Sequence, residues 1–154
     1  MMKLVLIGTA VSAAVVAGVV LSAPAPAAPE DTITVHKTPW CGCCGDWVDH
    51  LRVEGFDVTV QEHDDLAPVR TRLGVPLALS SCHTAKVDGY VIEGHVPATD
   101  IRRLLLERPK GVRGLAVPGM PVGSPGMEMG DRKDPFDVVA FGDDGTQVFQ
   151  SHHR

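Results

Sequence analysis

The sequence lacks the short motifs of several large enzyme classes and carries little positive charge. It contains no G-x-S-x-G, no H-E-x-x-H and no phosphate-binding loop, which argues against the common hydrolases and nucleotide-binding enzymes. Fourteen Lys and Arg residues face 19 Asp and Glu residues, for a net charge of −5. An acidic chain of this kind argues against nucleic acid as a partner and leaves cations open.

The first 29 residues have the pattern of a secretory signal peptide. Lys3 supplies an early positive charge, residues 4–21 are apolar or small throughout, and residues 22–29 are rich in Ala and Pro. This order of basic, apolar and small-residue regions predicts export, with residues 1–29 as the signal peptide and residues 30–154 as one mature domain. The alternative is an uncleaved anchor, which would be the protein's only contact with a membrane.

The mature part alternates between strand and helix patterns. β-branched strands with alternating polarity are predicted at residues 32–36 and 57–61, and amphipathic helices follow each of them. Asp88-Gly89 predicts a tight hairpin, and a third helix follows it over residues 100–107. We expect an α/β, thioredoxin-like fold in which helices flank a mixed central sheet, followed by a Gly/Pro/Met-rich loop over residues 111–130 and a C-terminal hairpin around residues 143–145.

Three of the four cysteines are crowded into Cys41-Gly42-Cys43-Cys44, between the first strand and the first helix. Structural disulfides usually join distant segments, so this crowding favours chemistry over two simple cross-links. A helix start stabilises thiolate through its free N–H groups and its dipole. Thiolate is both the nucleophile of disulfide exchange and a ligand of soft metals.

Cys43, which lies between Cys41 and Cys44, distinguishes a metal site from a redox pair. Cys41 and Cys44 have the C-x-x-C spacing of a redox pair. A third thiol at Cys43 offers competing disulfides but adds to the ligand set of a metal, so it favours a metal site. Cys82, which precedes the third strand, is a candidate fourth sulfur ligand, and the competing interpretation is a Cys43–Cys82 disulfide. His83 is either a ligand or a hydrogen-bonded neighbour.

Methionines and the remaining histidines give weaker signals. Met120, Met127 and Met129 lie in a Gly/Pro loop, where they have no helical face to fill, and thioethers suit Cu(I). They are therefore candidate ligands or a lid over the cysteines. Other polar residues are assigned minor roles: His36 as a residue beneath the site, His50 as a residue of the first helix two turns from Cys44, His63 and His95 as surface or structural residues, Arg102-Arg103 as a solvated face, and His152-His153 as part of a frayed tail that could bind metal loosely.

Four separated motifs resemble those of one family: Cys-Gly-Cys-Cys-Gly at 41–45, Ser-Cys-His-Thr at 81–84, Glu-Gly-His-Val-Pro at 93–97 and the Met-rich stretch at 114–128. Together they are similar to the CopG-like family of small periplasmic proteins. The resemblance implies a thioredoxin-like fold, periplasmic location, copper as the bound metal and a part in copper resistance beside other copper-handling proteins. The ligands it implies are Cys41, Cys43, Cys44 and Cys82, with Met120 and His83 as neighbours.

Three functions follow as hypotheses from these patterns. The first is a copper-binding protein that holds Cu(I) in a thiolate cluster, with or without redox activity. The second is a thiol–disulfide oxidoreductase that uses Cys41 and Cys44. A disulfide-stapled interaction module is the third and weakest interpretation.

Overall fold

The computed structural model describes residues 32–153. The predicted signal peptide, residues 1–29, lies outside this range. Among the described residues, none of the helices is long and apolar enough to cross a membrane. The elements in chain order are β1 Thr32–Lys37, α1 Gly42–Val53, β2 Asp57–Glu62, α2 Ala67–Leu73, a short 3₁₀ turn Leu77–Leu79, β3 Thr84–Val87, β4 Tyr90–Glu93, α3 Ala98–Glu107, β5 Val112–Ala116, β6 Phe136–Gly142 and β7 Gly145–His152.

All seven strands form one mixed sheet in the order β2-β1-β3-β4-β5-β6-β7. β1 and β2 run parallel, as do β4 and β5, and the other neighbours are antiparallel. The predicted α/β class and mixed sheet with flanking helices are confirmed. The narrower likeness to thioredoxin stays a prediction.

Apolar side chains bury both faces of the sheet. On one face, Ile33 and Val35 of β1 belong to the same buried cluster as Trp47 of α1 and Ile101 of α3. On the other face a smaller cluster contains Val91, Ala116 and Phe141, with Leu73 of α2 packed against it. Consecutive strand residues point to opposite faces, which is why Leu115 joins the first cluster and Ala116 the second. α1 and its cysteines therefore lie on the face with the larger core.

One prediction about the sheet is wrong. Residues 111–130 were expected to be loop throughout, but Val112–Ala116 forms β5 between β4 and β6. Gly114 weakens the strand pattern of this segment in the sequence. A Cβ on Gly114 would lie 2.1 Å from the Val91 carbonyl oxygen and 2.6 Å from the Phe141 ring. The residue that weakens the strand pattern is required by close packing within the sheet.

The C-terminal prediction also needs correction. The expected hairpin is present, but its strands are longer, and His152 pairs with Phe136 instead of lying in a frayed tail. Arg103 is not on a solvated face, since its guanidinium group lies 3.9 Å from the centre of the Phe149 ring and donates to the Phe149 carbonyl. These contacts attach β7 to α3.

Candidate metal centre

The first turn of α1 carries the cysteine cluster. The helix begins at Gly42, so Cys43 and Cys44 are helical. Cys41 is the N-cap with extended backbone angles, and its side chain makes no capping hydrogen bond. The first N–H groups of the helix therefore have no side-chain acceptor at the cap. This electrostatic setting favours thiolate.

The four cysteines converge on one place. Cys41 and Cys44 form a disulfide with Cα atoms 5.4 Å apart, and the Cys43 Sγ lies 3.6 Å from the Cys41 Sγ. The Cys44 Sγ lies 3.7 Å from the carbonyl oxygen of Cys82. All four Sγ atoms lie within 4.8 Å of one another. The competing Cys43–Cys82 disulfide is wrong for this state, because both residues are free thiols.

A second donor group shares Cys82 with the first. Its Sγ lies 2.9 Å from the Nε2 atom of His95 and 3.2 Å from the Nδ1 atom of His83. The ligand atoms of these three residues also lie within 4.8 Å of one another. The structure thus brings sulfur and imidazole donors together around one thiol, a donor set that suits soft and borderline metals.

A hydrogen bond to a backbone carbonyl assigns the proton on the His95 imidazole. The Nδ1 atom of His95 lies 2.8 Å from the carbonyl oxygen of Pro125, and a carbonyl only accepts, so Nδ1 carries the proton. The Nε2 lone pair of His95 then faces Cys82 and accepts its S–H. The Nδ1 atom of His83 contacts the same sulfur, and the buried Nε2 atom of His83 has no hydrogen-bond partner among the described residues. A second hydrogen bond that fixes the tautomer is typical of metal-binding histidines.

Burial keeps this group neutral in the absence of metal. Desolvation, and after it the nearby Cys43, raises the pKa of the Cys82 thiol to about 12. The pKa of His83 is lowered well below its usual value by complete burial and then by His95, and burial also lowers the pKa of His95. At neutral pH the site therefore offers imidazole lone pairs and a protonated thiol that a bound cation would deprotonate.

Trp47 packs against His83 in the candidate metal centre. Its indole N–H donates to the Val96 carbonyl at 2.9 Å, and its ring lies 4.3 Å from the His83 ring. Trp47 is fully buried, so these contacts fix the position of His83 from the side of α1. The imidazole has little freedom to move away from Cys82.

The methionine loop, residues 117–130, reaches the site through its backbone. Ser81 donates its hydroxyl to the Gly119 carbonyl at 2.6 Å, and a Cβ on Gly126 would lie 2.6 Å from the backbone nitrogen of Trp47. Two methionine side chains of the loop are largely exposed to solvent: Met120 is 53% exposed and Met129 is 62% exposed. The loop is held against the cysteine segments, while a ligand role for Met120 stays a prediction.

Other histidines have partners elsewhere. His36 lies 2.9 Å from His63, and His50 accepts from the backbone N–H of Ala98. His152 and His153 contact Asp100 and Asp137 at 2.8 and 3.0 Å. None of these histidines belongs to a metal-capable group found among residues 32–153, and His152 makes a structural contact where a frayed tail was predicted.

Comparison with known proteins decides the family. Two solved structures of a copper resistance protein CopG match this chain over 79% of its length: form 2 at 48% identity with a TM-score of 0.75, and form 1 at 49% identity with a TM-score of 0.74. The match covers 98% and 96% of those chains. The chain belongs to the CopG family. This confirms the resemblance seen in the four motifs.

The family model agrees with this assignment. Residues 79–127 match a model described as a protein of unknown function, DUF411. The matched part of this CopG-family chain contains Cys82, both imidazoles of the second donor group and Met120, whereas the cysteine trio lies before it. Among curated proteins none matches the chain.

His95 lies closer to the cysteines than the sequence analysis predicted. It was assigned a surface or structural role, yet it is completely buried and lies 2.9 Å from Cys82. A lone histidine between glycine and valine carries no ligand pattern of its own. The available signal was its place in Glu-Gly-His-Val-Pro, one of the four family motifs, directly after the strand that pairs with β3.

Proposed function

We propose that this protein binds copper as Cu(I) in a centre built from Cys41, Cys43, Cys44 and Cys82, and that it acts in copper resistance. The observation that carries the proposal is the convergence of four Sγ atoms within 4.8 Å of one another. Thiolates are soft ligands that favour Cu(I). The solved CopG structures, at 48% and 49% identity, are of a copper resistance protein, which supports copper as the metal.

Imidazole and thioether donors extend the centre. His95 directs an unprotonated Nε2 at Cys82, and His83 is buried beside it. We include both as ligands or close neighbours of the metal, and Met120 as a thioether donor from the loop above. Each suits Cu(I), and thioethers also resist the disulfide formation that thiols undergo in an oxidising compartment.

The Cys41–Cys44 disulfide controls how many sulfur ligands are available. Reduction by two electrons and two protons yields two further thiols, which lose their protons when metal binds. In the disulfide form only Cys43 and Cys82 remain as free thiols. We therefore expect the copper capacity of the protein to depend on its redox state.

We place this activity in the periplasm because the first 29 residues have a signal-peptide pattern. Partners there would be copper ions and other copper-handling proteins. An exported thiolate centre would bind Cu(I) outside the cytoplasm. Storage and handover are both compatible with such a centre.

Anaerobic titration tests the proposal. Fully reduced protein should bind more than one equivalent of Cu(I) in competition with a Cu(I)-specific chelator, which also separates copper from zinc. Cys43→Ser should lower the Cu(I) affinity by about 100-fold or more, since loss of even an outer-shell partner costs 10- to 100-fold. Asp46→Asn, an exposed change on the same helix, is the matched control and should bind as the wild type does. Equal affinity in Cys43→Ser and wild type would overturn the proposal.

The disulfide itself favours a second candidate function. A Cys41–Cys44 bond at the start of α1 is the arrangement of a thiol–disulfide oxidoreductase, in which the thiolate of the reduced pair attacks a substrate disulfide and the second thiol releases the product. Insulin reduction by the reduced protein tests it. Activity that survives Cys43→Ser, together with weak or substoichiometric copper binding, would favour this function over the first.

A further inference from the structure

Ser81 is bonded to three separate parts of the fold. Its backbone N–H donates to Oε1 of Glu93 at 2.6 Å, and its carbonyl accepts from the guanidinium group of Arg70. Its hydroxyl donates to the Gly119 carbonyl at 2.6 Å. Because Ser81 immediately precedes Cys82, these bonds join β4, α2 and the methionine loop to the backbone of a thiol in the metal centre.

The Glu93 carboxylate and the Arg70 guanidinium group together form a clamp on the Ser81 backbone. The carboxylate is buried, and both of its oxygens accept hydrogen bonds. Glu93 is completely inaccessible to solvent. Besides Ser81, Oε1 of Glu93 accepts from Nε of Arg70 at 2.9 Å, and Oε2 accepts from the Thr84 hydroxyl at 2.5 Å. Burial raises the pKa of the Glu93 carboxyl, while these donors and the Arg70 charge act in the opposite direction. A buried ion pair adds little net stability, so its clearest effect here is to fix the peptide that leads into Cys82.

Close packing removes the freedom of the Ser81 side chain. A Cβ on Gly94 would lie 2.5 Å from the Ser81 Oγ, 2.7 Å from its Cβ and 2.6 Å from the Val117 carbonyl oxygen. Gly94 also has a positive φ of 72°, which favours glycine. The hydroxyl is therefore held against β4 and directed at the loop.

We propose that Ser81 is a positioning residue that couples the methionine loop to the Cys82 thiol, and that through this tether it sets the Met120 thioether over the copper centre. The residue after Gly119 is Met120, so the bond to the Gly119 carbonyl acts one residue from the sulfur donor and one residue from Cys82. Met120 itself is half exposed. This inference rests on the proposed copper function.

Ser81→Ala removes the tether and leaves the backbone clamp in place. We expect the Cu(I) affinity of the reduced protein to fall by about tenfold, in the range seen for outer-shell partners. In a Met120→Leu background the same change should have no further effect, because the thioether it positions is gone. Ser151→Ala is the matched control, since it removes another 2.6 Å hydroxyl bond, to Asp137, on the exposed surface. It should leave affinity unchanged.

A second readout needs no copper. Amide hydrogen exchange across residues 118–127 of the metal-free protein should become at least about tenfold faster in Ser81→Ala and stay unchanged in Ser151→Ala. Unchanged hydrogen exchange in Ser81→Ala would overturn the tether, whether or not the protein binds copper. Failure of this inference is therefore distinguishable from failure of the proposed copper function. A loss of affinity that persists in full in Met120→Leu would overturn the role through Met120, as would wild-type affinity in Met120→Leu itself.

Discussion

Gly126→Ala tests how the methionine loop packs on the helix that carries the cysteines. A Cβ there would lie 2.6 Å from the backbone nitrogen of Trp47, 2.8 Å from the Cys43 carbonyl oxygen and 3.1 Å from the Cα of Trp47. These are backbone atoms of α1 and cannot move aside as a flexible side chain would. The loop must therefore shift, and the Pro125 carbonyl that orients His95 shifts with it.

The magnitude follows from two contributions. Overpacking costs about 1–3 kcal/mol, and a left-handed backbone, here at a φ of 80°, costs a non-glycine residue roughly 1 kcal/mol more. We expect Gly126→Ala to lower the free energy of unfolding by about 2–4 kcal/mol. Urea unfolding of the reduced, metal-free protein measures it.

Gly119 supplies the control within the same loop. Its φ is similar, 73°, but a Cβ there would meet nothing within 4 Å. Gly119→Ala should therefore show only the backbone contribution, about 1 kcal/mol. If the two variants lose equal stability, the tight contact between loop and helix is not present in solution and the argument fails. Cu(I) affinity should fall in Gly126→Ala more than in Gly119→Ala.

Two further predictions concern buried polar groups. The pKa of His83 is depressed in the folded protein. Its contribution to stability is therefore present above pH 6.5 and is lost as the pH falls below that value, with a slope of up to about 1.4 kcal/mol per pH unit. His83→Gln should flatten the pH dependence of the free energy of unfolding in urea, and a slope equal to that of wild type would contradict this. Arg103→Ala removes the contacts with Phe149 and Gln150 and should lower the free energy of unfolding by about 1–2 kcal/mol. Arg52→Ala breaks only an exposed ion pair and should cost at most about 0.5 kcal/mol. Thermal unfolding compares the two variants, and equal losses of stability would refute the prediction.

Local pattern was enough for most of the fold but not for β5. The first two strands, the three helices and both hairpins have the apolar periodicity and turn residues that predict them. Val112–Ala116 contains a glycine and is followed by a Gly/Pro-rich segment, so propensity indicates loop. Its pairing partners, Val91 and Phe141 among them, come from distant sequence, and their hydrogen bonds outweigh the weak local preference.

The site was predictable to the extent that its residues are adjacent in sequence. Crowded cysteines at a helix start identified the trio directly, and Cys82 followed from its position before β3. His95 could not be assigned in this way, because its role depends on the turn after β4 and on the Pro125 carbonyl that fixes its tautomer. The Ser81 tether has no sequence pattern and follows only from the fold.

Copper K-edge X-ray absorption of the reduced protein loaded anaerobically with Cu(I) tests the central claim most directly. The proposed centre predicts a first shell dominated by sulfur, with a smaller nitrogen contribution that declines in His95→Ala. It also predicts that Cys82→Ser lowers the sulfur count at the metal. A first shell of nitrogen and oxygen only, or copper that is lost to a competing chelator before measurement, would contradict a thiolate copper centre in this protein.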